Sequence, residues 1–258
     1  MLLAIDIGNT NIVFGIYGQN KWRNVWRIQT DNKKTADEYE VIFHSLFESG
    51  KICKTDIDRA VLSSVVPAMN REFEAMITNL FGIPILIINP EIYDRLPVKV
   101  LNPYQIGSDL VANATAAYSK LKKACLIIDF GTALTFTTLS DQGEILGVAI
   151  APGLQTAVRA LAGNTAQLPN VQLTVPPSVL GKNTVHAIQS GIVIGYSGLV
   201  DRMIERTEQE LEQKLVIVAT GGLSGVFAKQ SPKIDFVEEN LTLNGLQIMS
   251  QLMTKNNR

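Results

Sequence analysis

One short pattern occurs twice in this chain, and each copy joins two apolar, β-favouring runs. Asp6-Ile7-Gly8-Asn9-Thr10 follows residues 2–5, and Asp129-Phe130-Gly131-Thr132-Ala133 follows residues 126–128. Each copy therefore predicts a β-hairpin. Glycine at the bend lets a phosphate approach backbone N–H groups, the threonine hydroxyl can donate, and the aspartate can hold a hydrated cation. Two such hairpins facing each other predict a clamp for a nucleoside triphosphate, although either copy alone is also typical of an ordinary hairpin turn.

The elements around the two copies repeat in order, which predicts an α/β protein made of two duplicated domains. Strands are expected near residues 2–8, 11–18, 22–30, 60–66 and 83–88, and again near 124–130, 133–139, 144–151, 215–219 and 234–237. Helices are expected up to Gly50 after a capping box at Thr35, over 68–81, between 153 and 213, and over 241–253. The two aspartates lie about half a chain apart, as duplication requires. We expect domains at 1–118 and 119–258, bridged by a helix over 108–123, with a cleft between them.

Composition narrows the possible partners. The chain has 258 residues, of which 46% are hydrophobic and 18% charged, with a net charge of −1. Dispersed Lys and Arg residues predict neither a nucleic-acid surface nor a membrane patch, and no apolar run reaches membrane-spanning length. The start of the chain has no basic segment or cleavage site, so we expect a cytoplasmic protein. His44 and His186 do not have the spacing of metal ligands.

Three further positions could take part in chemistry, and each also has a purely structural interpretation. Asp109 opens a predicted helix, where a carboxylate is stabilised by the helix N-terminus but could also serve as a base. Gly221 and Gly222 lie between a strand and a helix, where a flat group such as adenine could rest or where the chain simply turns. Thr184 precedes a long amphipathic stretch and could be only an N-cap.

Taken in order, the motifs resemble those of one family, the type III pantothenate kinases, within the larger group of acetate kinase, sugar kinase, Hsp70 and actin-like ATPases. The resemblance spans nearly the whole chain. The matching segments are Asp6-Ile7-Gly8-Asn9-Thr10-Asn11, Ser64-Val65-Val66-Pro67, Asn102-Pro103 with Gly107-Ser108-Asp109, Asp129-Phe130-Gly131-Thr132-Ala133, Pro152-Gly153, Gly181-Lys182-Asn183-Thr184, Ala219-Thr220-Gly221-Gly222 and Leu241-Thr242-Leu243-Asn244-Gly245-Leu246.

The resemblance implies two ribonuclease H-like (actin-like ATPase) domains, each with a mixed five-stranded sheet and flanking helices. It implies an ATP-dependent transferase that phosphorylates pantothenate to 4'-phosphopantothenate, the first step of coenzyme A biosynthesis, with Mg²⁺ and a monovalent cation such as K⁺ or NH₄⁺. It also implies a homodimer. The implied ligands of ATP phosphates and adenosine are Asp6, Ile7, Gly8, Asn9, Thr10, Asn11, Ile12, Val13, Thr132, Gly221 and Gly222. Asp6 would also bind Mg²⁺ and Asp129 the monovalent cation, Asp109 would be the catalytic base, and the pantothenate pocket would be lined by Gly107, Ser108, Asp109, Leu110 and Thr184.

The chain departs from the family pattern in the loop before the base. The family continues Gly-x-Asp with Arg, whereas this chain has Leu110, and Val100 stands where many members have an aromatic residue. An Arg could bind the pantothenate carboxylate in a fork geometry that Leu cannot provide. Two alternatives to pantothenate phosphorylation therefore follow: a kinase of the same fold with a different small alcohol as acceptor, or a catalytically weak nucleotide-binding regulatory protein.

Overall fold

The computed structural model describes residues 1–228 and 230–255 and contains two mixed five-stranded sheets with flanking helices. The predicted α/β class is confirmed. The strands are β1 (Leu2–Ile7), β2 (Asn11–Gly18), β3 (Lys21–Gln29), β4 (Arg59–Ser64), β5 (Ile85–Ile87), β6 (Cys125–Phe130), β7 (Ala133–Leu139), β8 (Ile145–Pro152), β9 (Val216–Thr220) and β10 (Phe236–Val237). The helices are α1 (Ala36–Ser49), α2 (Asn70–Phe81), α3 (Ser108–Leu121), α4 (Leu154–Asn164), α5 (Thr184–Gln189), α6 (Gly195–Glu210), α7 (Ser224–Phe227) and α8 (Leu241–Lys255).

The first compact unit comprises residues 1–116 together with α8. Its sheet has the order β3-β2-β1-β4-β5, with β1 to β3 antiparallel and β4 and β5 parallel to β1. One face packs against α1 and α2, where Phe14 stacks on Phe43 with a centroid distance of 4.0 Å. The predicted capping box at Thr35 and Glu38 begins α1, and the left-handed Gly82 ends α2.

The second compact unit comprises residues 117–240, and its sheet has the order β10-β9-β6-β7-β8. Read from the opposite edge, this order repeats that of the first sheet, strand for strand. Its core lies under α4 and α6, and Phe130 stacks on Phe227 with a centroid distance of 4.9 Å. The helical segments predicted between 153 and 213 are α4, α5 and α6. Residues 165–183, between α4 and α5, form no helix, and Ser190–Ile194, between α5 and α6, form a π-helical turn.

The closing helix α8 differs from the sequence expectation in its packing. The expected domain 119–258 included this helix, whereas its contacts are with β1, β2 and β4 of the first unit. Gly245 permits the approach, because a Cβ there would overlap the Ala112 carbonyl of α3. The buried face of α8 (Leu243, Leu246 and Met249) thus completes the first unit. In the described residues, no helix combines the length and apolar character needed to cross a membrane.

Candidate functional site

The first hairpin forms as predicted, with Asp6 at the carboxyl end of the central strand. β1 and β2 pair antiparallel, and Asp6 lies opposite Val13. The turn between them is closed by the Gly8 N–H, which donates to the Asn11 carbonyl at 3.0 Å. Asn9 at the tip is exposed, and Oδ1 of Asp6 is buried. The predicted phosphate-binding segment, residues 6–13, therefore forms one continuous strand-turn-strand surface.

A residue that the sequence interpretation did not include supports this turn from the end of β3. The Thr30 hydroxyl donates to the Gly8 carbonyl at 2.6 Å, and the Thr30 N–H donates to the Thr10 carbonyl at 3.0 Å. The two bonds fix both sides of the bend. Because the Gly8 and Thr10 carbonyls both accept hydrogen bonds from Thr30, the turn is attached on both sides to the end of β3.

Asp109 lies in the first turn of α3, and its surroundings disfavour the charged carboxylate. Burial raises the pKa of Asp109 above its ordinary value of 3.8, and this effect exceeds the opposing one of backbone donors. One such donor is the Leu110 N–H, which lies 2.9 Å from Oδ1. Burial also raises the pKa of Tyr93 to about 12, with a further contribution from the negative charge of Asp109. A carboxylate in such surroundings is a stronger base than one in water.

The residues around Asp109 are held in different ways. Gly107 allows the close approach of the carboxylate, because a Cβ there would lie 2.4 Å from Oδ1 of Asp109. Ser108 is buried, and its hydroxyl lies 2.9 Å from the Ser63 hydroxyl and 3.4 Å from the Ser64 carbonyl. Leu110 is 9% exposed, so the position at which the family has Arg is occupied by an almost enclosed apolar side chain.

The second hairpin repeats the first at the carboxyl end of β6. Asp129 is opposite Thr135 of β7 and beside Thr220 of β9. Gly221 follows directly, with a φ of +90°, and a Cβ there would lie 2.5 Å from Oδ1 of Asp129 and 2.8 Å from the Phe130 backbone. Only glycine accepts this φ without strain. In the structure, the turn at Gly221 therefore lies directly against the Asp129 carboxylate.

Thr132, at the bend of the second hairpin, is anchored through its backbone. Its carbonyl accepts the Gly153 N–H at 3.1 Å and the Thr156 hydroxyl at 2.8 Å. The Thr156 contact was missed by the sequence interpretation, since it joins a turn and the first helical turn of α4 across 24 residues. Its only local signal is a hydroxyl residue three positions after Gly153.

Thr184 is exposed and is the first residue of α5. The interpretation of Thr184 as an N-cap is wrong, because Asn183 caps the helix and accepts the His186 N–H at 2.8 Å. The hydroxyl of Thr184 is thus left out of the cap. Asn is among the preferred N-cap residues, because its side-chain oxygen can accept a backbone N–H of the first helical turn.

The acidic groups do not form a self-sufficient metal centre. Among residues 1–228 and 230–255, no three His, Cys, Asp or Glu side chains are grouped so that they could hold a metal ion. Mg²⁺ commonly binds one or two carboxylates and completes its coordination with substrate phosphates and water. A single carboxylate beside a hairpin turn, as at Asp6, fits that donor set.

Comparisons with a family model and with curated relatives indicate the same family over most of the chain. The family model described as type III pantothenate kinase matches residues 2–206. A type III pantothenate kinase of Geobacter sp. (strain M21) is 42% identical over 251 residues, covering 97% of this chain and 99% of the relative. One from Moorella thermoacetica is 42% identical over 254 residues, covering 98% of this chain and 100% of the relative. A solved structure of a conserved Baf family protein from Campylobacter jejuni covers 99% of this chain and 98% of its own, with a TM-score of 0.60 at 18% identity, which shows a shared fold.

Proposed function

Because this chain belongs to the type III pantothenate kinase family, we propose that it transfers the γ-phosphoryl group of ATP to the primary hydroxyl of pantothenate. The product is 4'-phosphopantothenate, and the reaction opens coenzyme A biosynthesis. The observation that carries the proposal is the partly buried Asp109 carboxylate, whose pKa is raised by burial and which lies in the same compact unit as the Asp6 hairpin. As an ATP-consuming enzyme, the chain is proposed to act in the cytoplasm.

Asp109 is the proposed catalytic base. The pantothenate hydroxyl oxygen forms a bond to the γ-phosphorus, the bond from that phosphorus to the β–γ bridging oxygen breaks, and ADP leaves. Asp109 accepts the hydroxyl proton as the transfer proceeds. Its surroundings support this role, because burial raises its pKa and so strengthens it as a proton acceptor.

The first hairpin is the proposed site of the ATP phosphates. Residues 6–13 orient them through backbone N–H groups and the Thr10 hydroxyl, and Asp6 holds Mg²⁺. The ion, when bound, neutralises charge on the phosphate oxygens. The Thr30 contacts support this role, because two hydrogen bonds to the backbone of the turn limit the reorganisation that phosphate binding would require.

The second hairpin and its glycine turn are the proposed site of the nucleoside and of a monovalent cation. Thr132 contacts ATP, Gly221 and Gly222 border the adenosine, and Asp129 ligates K⁺ or NH₄⁺. The contact between Gly221 and Asp129 supports a common site, since it leaves no room for a side chain between the turn and the carboxylate.

In the first compact unit, the proposed pantothenate-binding residues are Gly107, Ser108 and Leu110, together with the proposed catalytic base Asp109. The family resemblance adds Thr184, in the second compact unit, as a further proposed substrate-binding residue. Ser108 contributes through its backbone, because its hydroxyl is engaged with Ser63 and Ser64. Thr184 offers an exposed hydroxyl that α5 does not use for capping.

An ADP-release assay with pantothenate, Mg²⁺ and either K⁺ or Na⁺ tests the function. We expect turnover that requires pantothenate, that K⁺ increases over Na⁺, and that Asp109→Asn lowers by at least about a hundredfold, because general bases contribute on this scale. The exposed Asp94 provides the matched control Asp94→Asn, with unchanged turnover. Binding of ATP without turnover on any alcohol would contradict the proposal and indicate a regulatory protein instead.

Leu110 supports a second candidate, a kinase of the same fold whose acceptor has no carboxylate. An almost enclosed apolar side chain cannot form the bidentate contact that Arg makes with a carboxylate. If pantothenate is the acceptor, Leu110→Arg should lower the KM for pantothenate. If Leu110→Arg leaves pantothenate use unchanged and a panel of small alcohols contains a better substrate, the second candidate is correct.

A homodimer is the proposed assembly. The edge strand β8 carries Leu146, Val148 and Ile150 on one exposed face, at 42%, 37% and 71% exposure. Alternating apolar residues on a solvent-facing edge strand are typical of a surface that another chain covers. Light scattering should give the mass of two chains for the wild type and of one chain for Val148→Asp with Ile150→Lys. A wild-type mass of one chain would contradict this assembly.

A further inference from the structure

Ser63 lies next to the phosphate hairpin, which is the β1–β2 hairpin proposed to bind the ATP phosphates. None of the sequence motifs assigns Ser63 a role. It is on β4, which pairs parallel with β1 in a register that sets Ser63 directly beside Asp6. Its side chain is completely buried. Neighbouring strands in a sheet lie about 4.8 Å apart, so Ser63 and Asp6 keep a fixed separation.

The Ser63 hydroxyl also contacts the start of α3. It lies 2.9 Å from the Ser108 hydroxyl in a buried contact, and Ser108 immediately precedes Asp109. Ser108 is held a second time by the Ser64 carbonyl at 3.4 Å. A short path therefore runs from Asp6 to its register partner Ser63 on β4, through the Ser63–Ser108 hydrogen bond to α3, and then along the chain to Asp109.

We propose that Ser63 is a positioning residue, whose hydrogen bond to Ser108 fixes the first turn of α3 and thereby the distance from the Asp109 carboxylate to the phosphate hairpin. The inference rests on the proposed function, since it takes Asp109 as the base. Both groups that it connects lie in the first compact unit, and the elements between them are β1, β4 and α3. Base catalysis is sensitive to such geometry, because small displacements of a positioned group cost large factors in rate.

The alternative is that the pair of hydroxyls only satisfies buried polar atoms. Removing one partner would then leave the other hydroxyl unpaired and lower the stability without a specific effect on the chemical step. A positioning role predicts a lower kcat that depends on Asp109, whereas a purely structural role predicts neither effect. The experiment therefore measures kcat with and without the Asp109 carboxylate.

Ser63→Ala and Ser108→Ala remove the contact from opposite sides. We expect each to lower kcat by about tenfold while the KM for ATP changes by less than about twofold, because the base is displaced and the phosphate hairpin is not. Thr115→Val is the matched control: Thr115 is a fully buried residue of the same helix, and its hydroxyl has no hydrogen-bond partner among residues 1–228 and 230–255. It should retain wild-type kcat.

The Asp109→Asn background separates positioning from general stability. If Ser63 acts through Asp109, adding Ser63→Ala to Asp109→Asn lowers the residual rate no further. A wild-type kcat in Ser63→Ala, or an equal loss in both backgrounds, would overturn the inference. If the wild-type protein phosphorylates another alcohol and not pantothenate, the proposed acceptor is wrong. The kcat values of Ser63→Ala in the two backgrounds, measured with that alcohol, then still test the role of Ser63. Turnover on no acceptor would overturn both.

Discussion

Asp109 and Gly221 are each held where the fold works against the residue's ordinary preference. Asp109 is partly buried although a carboxylate prefers water, and Gly221 has a φ that other residues adopt only with strain. Such conflicts are common where a group is kept for chemistry rather than for stability. Asp109 gives a prediction about stability and activity, and Gly221 gives one about ATP binding.

Asp109→Asn should stabilise the folded protein at neutral pH while it removes activity. The fold raises the pKa of Asp109 above the unfolded value, so the stability from its protonated form is complete below pH 3.8 and is lost as the pH rises through the folded pKa. Asn has no charge to enclose and avoids this loss. Urea unfolding of the variant and the wild type should differ more at pH 8 than at pH 4. Parallel stability curves across this range would contradict the enclosure of the carboxylate.

Gly221→Ala should weaken ATP binding. The new Cβ would meet both Oδ1 of Asp129 and the Phe130 backbone at a φ of +90°, so the turn must shift. The shift displaces the turn that is proposed to border the adenosine, and each ~1.4 kcal/mol of contact energy lost only in the bound state lowers the affinity about tenfold. Calorimetric titration with a non-hydrolysable ATP analogue measures it. Gly198→Ala, in α6 with open space around the new methyl group, should bind as the wild type does.

At the scale of elements, each hairpin depends on a hydroxyl from a different element. Thr30, after β3, fixes the first turn, and Thr156, in α4, fixes the second. In both cases the hydroxyl donates to a backbone carbonyl of the bend. The turns thus owe their shape to neighbouring elements as well as to their own glycine residues.

Thr30→Val should raise the KM for ATP with little change in kcat. The substitution keeps the shape of the side chain and removes one donor to the Gly8 carbonyl, a bond worth about 1 kcal/mol, or about fivefold in affinity. Thr78→Val is the matched control, because it also removes one threonine-to-carbonyl bond, from the Thr78 hydroxyl to Glu74 in α2. If both variants have the same KM for ATP, Thr30 does not support the phosphate site.

At the scale of the whole molecule, the chain is a duplicated sheet whose closing helix is not part of the second copy. The order of the five strands repeats between the units, yet α8 lies against β1 and β4 of the first. The first unit therefore contains residues from both ends of the described chain. Its stability should depend on residues more than two hundred positions away.

Gly245→Ala tests this dependence. A Cβ at position 245 would lie 2.0 Å from the Ala112 carbonyl oxygen, so α8 and α3 must separate. Overpacking of this kind costs about 1–3 kcal/mol. Thermal unfolding should show a lower Tm than the wild type, and proteolysis should cut first within the first unit. Gly163→Ala, where the new methyl group meets open space, should not lower the Tm.

Much of this organisation could be predicted from the sequence because it depends on neighbours along the chain. Both hairpins, the capping box at Thr35 and the helix end at Gly82 follow from local periodicity and from residues with special backbone preferences. The packing of α8 and the contact of Ser63 with Ser108 join distant segments and leave no local pattern. The role of Leu110 could not be predicted from its neighbours in sequence either, because it depends on which acceptor group the side chain contacts.

The most direct test of the central claim is the mass of the product. Wild-type protein incubated with pantothenate, ATP, Mg²⁺ and K⁺ should convert pantothenate into a species heavier by one phosphoryl group, as mass spectrometry detects, and Asp109→Asn should form almost none. Unmodified pantothenate beside intact ATP after prolonged incubation with wild-type protein would contradict the claim. So would equal product formation by wild type and Asp109→Asn.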